Sequence, residues 1–271
     1  MAKTTGFFSG KTVLVTGASS GIGLATARAF ARAGARLVLV ARRPQPLAAA
    51  AREVRALGAD ALGVRGDVAD RDSVEACFAR AEQRFGPVEV VVNNAGVMIP
   101  GRVETLRDRD LEAMLRVNLY GALHVLQSAT RRMRERSTGH IVNVASLAGR
   151  RGISPIGGYS ASKFALVGLT EALRVELAGS GVQVSLVMPG VVATPMAEAF
   201  QSAEDGDLWP QALNLKPEWV AWAVLAAVRL RLVEVAVPPG AATLEKLAAL
   251  VPGLTDGVLG LATRVRKGKR P

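Results

Sequence analysis

From residue 12 onward, short runs of Val, Leu and Ile alternate with longer segments whose apolar residues recur at helical spacing. The runs Thr12–Thr16, Arg36–Ala41, Asp60–Asp67, Val88–Val92, His140–Ala145, Gln183–Val187 and Glu234–Val237 each predict a strand. Within most of them apolar residues follow one another instead of alternating with polar ones, the mark of strands covered on both faces. Between them, Gly21 to Ala33, stopped by Gly34, and Leu47 to Leu57, stopped by Gly58, predict helices with a glycine just past the end. Strand, helix, strand, repeated, predicts an α/β fold: a parallel sheet doubly wound by helices. From Pro238 the pattern changes. Pro238-Pro239-Gly240 ends the last strand, Ala241 to Val251 and Leu254 to Val265 read as short apolar helices, and a basic cluster from Arg264 to Arg270 follows. The expected organisation is one domain over 1–240 and a helical C-terminal extension with a basic tail over 241–271.

A length of 271 residues suits one large α/β domain better than two. With 49% hydrophobic and 21% charged residues, the chain carries enough apolar material for a sizeable core, which excludes disorder as its main state. The longest apolar stretches, Trp219 to Val228 and Val184 to Ala197, fall short of the roughly 18 residues needed to cross a bilayer. No basic segment followed by an apolar one opens the chain, so a cytoplasmic location is expected. One cysteine, Cys77, and two histidines, His124 and His140, supply neither an internal disulfide nor a metal cluster. The net charge of +11 first suggests nucleic acid, but the basic residues are spread among acids and no recognition motif accompanies them. An anionic small molecule is the expected partner. The apolar segment beside the terminal basic cluster adds a weak peripheral contact with an anionic membrane surface as a further expectation.

Directly after the first strand comes Thr16-Gly17-Ala18-Ser19-Ser20-Gly21-Ile22-Gly23, opening a helix. This placement makes the glycines informative: Gly17 suits a tight turn out of the strand, Gly21 lets backbone N–H groups approach a pyrophosphate, and Gly23 allows close packing. An anion held by this loop, Ser19, Ser20 and Ile22 included, would sit at the positive end of the helix. Where such folds end the second strand with a carboxylate for the ribose 2′-OH of NAD, this chain has Arg42-Arg43, and the next acid is Glu53 inside a helix. Two guanidiniums in that place favour a 2′-phosphate, hence NADP(H) over NAD(H).

Further along lie Asn93-Asn94-Ala95-Gly96, Asn118, Ser146, and Tyr159-Ser160-Ala161-Ser162-Lys163. Together with the glycine loop, Asp67, and Pro189-Gly190 with Thr194, these stretches resemble the short-chain dehydrogenase/reductase family in its short single-domain branch, over about residues 10 to 240. The resemblance implies a Rossmann-type sheet of seven parallel strands and NAD(P)(H)-dependent oxidoreduction of alcohols and carbonyls. It also implies that Asp67 and Val68 border the adenine, that Asn94, Ala95 and Gly96 line the cofactor, and that Pro189, Gly190, Val192 and Thr194 face the nicotinamide carboxamide. Asn118, on the same ground, holds a water that connects Lys163 to solvent.

Chemistry supports the catalytic set independently. Hydride transfer to a carbonyl leaves an alkoxide that must take a proton from an acid poised near neutral pH. A free tyrosine is too weak an acid, but Tyr159 and Lys163 lie at i, i+4 on one helix face, where the lysine cation favours the phenolate. Lys163 can also hold ribose hydroxyls, and the Ser146 hydroxyl can polarise the substrate carbonyl.

The stretch from about 190 to 215 is expected to form a lid, with Met196, Phe200, Leu208, Trp209 and Leu213 as its apolar side and Val97, Met98 and Ile99 facing it. Such a pocket suits a lipophilic ketone, aldehyde or 3-oxoacyl substrate. Segments Leu111 to Met133 and Ser160 to Leu177, the second carrying Ala161, Ala165, Leu169 and Ala172 near one face, are expected to pair in a homodimer or homotetramer, as the resemblance implies. A cofactor-binding regulatory or scaffold protein on the same fold is the alternative reading.

Overall fold

A computed structural model describes residues 6–201, 214–241, 250–253 and 257. Seven strands, β1 (Thr12–Thr16), β2 (Arg36–Ala41), β3 (Ala61–Arg65), β4 (Val90–Asn93), β5 (Gly139–Val144), β6 (Val182–Pro189) and β7 (Glu234–Val237), form one parallel sheet in the order β3-β2-β1-β4-β5-β6-β7. The Rossmann-type α/β fold is therefore as the sequence predicts. Differences are confined to strand ends: β3 stops at Arg65, after which the Gly66 N–H still donates to the Ala41 carbonyl (3.1 Å), and β6 runs on through Pro189 beside Val237.

Alternation within each strand divides the core. Val13 and Val15 of β1 and Leu37 and Leu39 of β2 face one layer with Phe30, while Leu14, Val38 and Val40 face the other with Phe78, Leu126 and Met133. The first layer is closed by α1 (Gly21–Arg32), α2 (Pro44–Ala56) and α8 (Pro217–Leu230); the second by α3 (Arg71–Phe85) and α5 (Ala122–Glu135). Both layers are needed because a sheet apolar on two faces must be covered on two faces. Helices α6 (Gly157–Glu176) and α7 (Pro195–Gln201) complete the site end of the sheet.

The segment Leu111 to Met133, which reads as one helix in the sequence, is three elements. Helix α4 (Asp108–Leu115) passes into a π turn, Arg116–Gly121, and only then into α5. Of the expected lid, α7 is described, whereas Leu208, Trp209 and Leu213 lie outside the described residues, as does the Phe200 side chain. Most of the two apolar helices expected after Pro238, and the basic cluster Arg264 to Arg270, also lie outside them. No helix among the described residues is long and apolar enough to cross a membrane.

Candidate active site

The strand order reverses direction between β1 and β4, and a crevice opens where the connections part to opposite faces. Thr16 pins its two sides together: its hydroxyl accepts from the Asn94 and Ala95 N–H groups, both at 3.0 Å, and its carbonyl accepts from Asn94 Nδ2 at 2.9 Å. A cleft of about 900 Å³ runs from here in both directions.

At the first end, α1 starts with Ser20 in extended conformation, without a side-chain cap and without an acid in its first turn. Its first N–H groups are therefore left for a ligand. Gly17, Ser19, Ser20, Gly21 and Ile22 line the cleft, and Gly21 holds φ +53°, a left-handed conformation that costs glycine least. Gly23 does not line it. A side chain there would collide with the Gly17 carbonyl and with Asn94 Nδ2, so Gly23 keeps the turn closed from behind. Arg42 and Arg43 at the end of β2, and Asp67 and Val68 after β3, line the same end. Asp67 is fixed by its N–H donating to Ser73 Oγ (3.0 Å) and by Oδ1 accepting from Ala69 N–H (3.0 Å). The Val68 carbonyl meets His124 Nδ1 at 3.0 Å.

Asn94, Ala95 and Gly96, with Pro189, Gly190, Val192 and Thr194, line the middle. The Thr194 hydroxyl donates to the Val192 carbonyl (3.1 Å) and accepts from Ala197 N–H (3.4 Å), so it also caps α7.

Beyond the middle, Ser146, Tyr159 and Lys163 meet in the cleft wall. Ser146 caps a short turn, accepting from Ala148 N–H at 3.1 Å and donating to the Pro189 carbonyl at 3.4 Å. Tyr159 is 9% exposed and Lys163 is 3% exposed on one face of α6. Burial pushes the Tyr159 phenol up to about 12, against a smaller lowering by hydrogen bonding to Ser146. Burial brings the Lys163 ammonium down to about 8. Nζ donates to the Val144 carbonyl at 3.1 Å and stands 5.7 Å from the centre of the Tyr159 ring. Burial therefore decides the direction for the Tyr159 phenol, and Ser146 is the partner that opposes it.

Asn118 does not line the cleft; it is fully buried in the π turn. Its Oδ1 accepts from Val97 N–H (2.8 Å), and its Nδ2 donates to the Val97 carbonyl (2.8 Å) and to Ser162 Oγ (2.9 Å). The side-chain amide is spent on fixing the segment after Gly96 to α6. A Cβ placed on Gly96 would lie 3.3 Å from Asn118 Oδ1 and 3.6 Å from Lys163 Nζ, which locates the turn beside the lysine.

Four buried positions around the site were not singled out in the sequence for this role. Ser162, inside the Tyr-to-Lys motif, orients Asn118. Beneath the cleft, Asn93 Nδ2 donates to Asn143 Oδ1 (3.0 Å) and to the Ala122 carbonyl (3.1 Å), Asn143 Nδ2 donates to Thr170 Oγ1 (2.9 Å), and Thr170 donates to the Leu166 carbonyl (2.6 Å). Asn93, Asn143 and Thr170 are buried. Their only sequence signal is that Asn93 and Asn143 interrupt otherwise apolar strands; Thr170 lies in helix α6. Cys77 is a buried core residue whose thiol burial raises to about 11.

The family model for short chain dehydrogenase matches residues 11–205. The chain belongs to the short-chain dehydrogenase/reductase family. Among curated relatives of this short-chain dehydrogenase/reductase, ketoacyl reductase HetN of Nostoc sp. is 36% identical over 229 residues, covering 84% of this chain and 78% of the relative. A putative ketoacyl reductase of Streptomyces coelicolor is 41% identical over 198 residues, 72% of this chain and 76% of the relative. Among solved structures, a short-chain dehydrogenase/reductase from Burkholderia phymatum in complex with NAD superposes with TM-score 0.82 at 31% identity, over 94% of this chain and 97% of that one. A variant of actinorhodin polyketide ketoreductase with NADPH superposes with TM-score 0.79 at 35% identity, over 85% and 97%.

Proposed function

We propose that this short-chain dehydrogenase/reductase is an NADP(H)-dependent enzyme that interconverts a carbonyl compound and its alcohol, with Tyr159 as the acid/base. The observation that carries the proposal is the convergence of Ser146, Tyr159 and Lys163 on one cleft that also holds an uncapped, glycine-rich helix start. The residues fit a dinucleotide: free N–H donors and a left-handed glycine for a pyrophosphate, and Arg42 and Arg43 for a 2′-phosphate. When bound, the nicotinamide supplies or accepts the hydride. Ser146 donates a hydrogen bond as charge develops on the substrate oxygen, and Tyr159 gives that oxygen its proton. Lys163 stabilises the resulting phenolate by its charge and holds ribose hydroxyls with the donors not engaged by Val144. Asn118 fixes the π turn beside Lys163, where a water would return the proton.

The substrate half of the cleft is lined by Val97, Met98, Leu147, Ile153, Ile156 and Met196, with Arg151 and Ser154 beside them, and this mainly apolar lining supports a lipophilic ketone, aldehyde or 3-oxoacyl group. The names of two relatives favour the last. Residues 1–240 act as the catalytic unit and 241–271 as an extension. Oligomer formation through α5 and α6 is part of the same proposal: Ala161 and Ala172 are exposed, as are Phe164 and Tyr120 nearby in sequence on these segments.

The test is consumption of NADPH, with NADH in parallel, over ketones, aldehydes and 3-oxoacyl thioesters. Tyr159→Phe is expected to lower turnover by about 10²- to 10⁴-fold while cofactor affinity stays close to the parent's. Arg42→Ala with Arg43→Ala is expected to raise the KM for NADPH by about tenfold or more and leave that for NADH nearly unchanged. Tight NADPH binding with no carbonyl reduced by any compound of the panel returns the chain to the binding-protein reading.

A further inference from the structure

The turn that follows β3 forms the cleft wall at the end where Arg42 and Arg43 stand, with Gly66, Asp67 and Val68 as its lining. With a pyrophosphate at the start of α1 and a 2′-phosphate at the two arginines, the adenosine that joins them lies against this wall. The turn is held from one side by its own half of the chain. The Gly66 N–H donates to the Ala41 carbonyl (3.1 Å), the Asp67 N–H to Ser73 Oγ (3.0 Å), and the Asp70 N–H to the Asp67 carbonyl (3.1 Å). These three bonds run to β2, to α3 and within the turn, and none of them sets how far the turn leans toward α5.

A contact from the other half of the chain does. His124, half-buried in the first turn of α5, brings Nδ1 to 3.0 Å from the Val68 carbonyl. A carbonyl only accepts, so Nδ1 carries the proton of this bond. Gly121, the last residue of the π turn, packs so closely that a Cβ there would stand 2.7 Å from Val68 Cγ2 and 3.2 Å from the Val68 carbonyl carbon. Glycine at that position lets the backbone come near enough for the imidazole to reach. The same run of chain also serves the opposite end of the cleft. Within two turns before His124 come Asn118, which ties Val97 and Ser162 together beside Lys163, and Val117, which lines the cleft. Val117 to His124 thus spans from the lysine end of the site to the arginine end.

We infer that His124 is a positioning residue for the adenine end of the dinucleotide site: its N–H holds the Val68 turn at the distance from α5 at which Asp67 and Val68 meet the base. The inference rests on the cofactor reading above and gives His124 no contact with cofactor or substrate. Adenine is common to NADPH and NADH, so His124 acts on both alike, whereas Arg42 and Arg43 act on the 2′-phosphate. The reacting atoms gather at Ser146, Tyr159 and Lys163, so cofactor binding changes and the chemical step does not.

The test is calorimetry on the full-length protein with NADPH, NADH and 2′-phospho-ADP-ribose, a fragment that lacks the nicotinamide, alongside kcat at saturating NADPH. His124→Leu is expected to raise the Kd for all three by about tenfold, to leave the ratio of the NADPH and NADH values unchanged, and to keep kcat close to the parent's. His124→Asn, whose Nδ2 stands as many bonds from Cα as the imidazole Nδ1, is expected to restore all three Kd values. Should the leucine variant fail to fold, His124→Phe keeps a ring in the same place without the donor and carries the same expectations. The inference is overturned if the donor-less variant binds the fragment like the parent, if NADPH alone is weakened, if kcat falls as far as affinity does, or if the asparagine variant binds no better than the donor-less one. A parent that binds neither NADPH nor the fragment overturns the cofactor reading, and this inference with it.

Discussion

Tyr159 and Lys163 are held almost out of water, and burial acts on them in opposite senses, raising the phenol to about 12 and lowering the ammonium to about 8. Each shift ties proton binding to stability. The folded value of Lys163 lies below its ordinary 10.5, so between about pH 8 and 10.5 the unfolded chain binds more protons and stability rises with pH. Tyr159 works the other way between about 10 and 12, where only the folded chain keeps its proton. In the ligand-free protein, the urea unfolding free energy is therefore expected to climb from pH 8 to 10, by up to about 3 kcal/mol from Lys163. Lys163→Met should be more stable than the parent below pH 8 and should lose the climb; equal slopes in the two proteins would contradict this account. Ser146, Tyr159 and Lys163 were legible in the sequence because their spacing along the chain already places them. The role of the Asn118 amide was not, because Val97 and Ser162 reach it only through the π turn.

At the level of elements, the face of α6 that carries Tyr159 and Lys163 owes its position to more than apolar packing. The chain from Asn93 through Asn143 to Thr170 links β4, β5 and α6, and its branch to the Ala122 carbonyl reaches the first residue of α5. Every link is buried, so removing one leaves a donor or acceptor without water to replace it. Thr170→Val keeps the shape and strands Asn143 Nδ2, with an expected loss of about 1–3 kcal/mol in urea unfolding. Turnover should fall as well, because Lys163 lies two turns earlier on the same helix, and Thr170→Ser should restore both. A valine variant with parental stability would show the link to be dispensable. The strands themselves were readable to within a few residues, since runs such as Leu37 to Val40 and Val90 to Val92 have no other economical reading. The π turn was hidden because Asn118 and Gly121 weaken the helical preference without showing whether the helix ends, bends or widens there. The asparagine–threonine chain was hidden because contacts 50 and 27 residues apart leave no local pattern.

Across the molecule, the end of the sheet opposite the cleft carries a different titrating group. His140, at the start of β5, meets Ser185 Oγ at 2.8 Å, and because the serine proton goes to the Leu232 carbonyl, Nε2 is the donor. Burial, reinforced by the Arg231 charge, lowers the imidazole to about 4. Its contribution is present above the ordinary 6.5 and is lost as pH falls from there toward 4, where the unfolded chain protonates first. Between pH 7 and 4.5 the parent is expected to lose up to about 3 kcal/mol more stability than His140→Gln, read from urea unfolding at both values. The overall strand order was available to the sequence only through family resemblance, since apolar runs do not say which neighbours they choose. That order has a mechanical corollary. The first half of the chain meets the second along β1 and β4, whose register comprises Val13 with Val90, Leu14 with Val91 and Val15 with Val92, along α1 and α8, and along α3 and α5. The protein is thus two shells joined through the sheet and both helical layers, with the crevice lying over the join. Whatever molecule fills the crevice touches both shells and acts as a strut, so occupancy should slow proteolytic nicking in both halves together, including at sites the ligand never reaches.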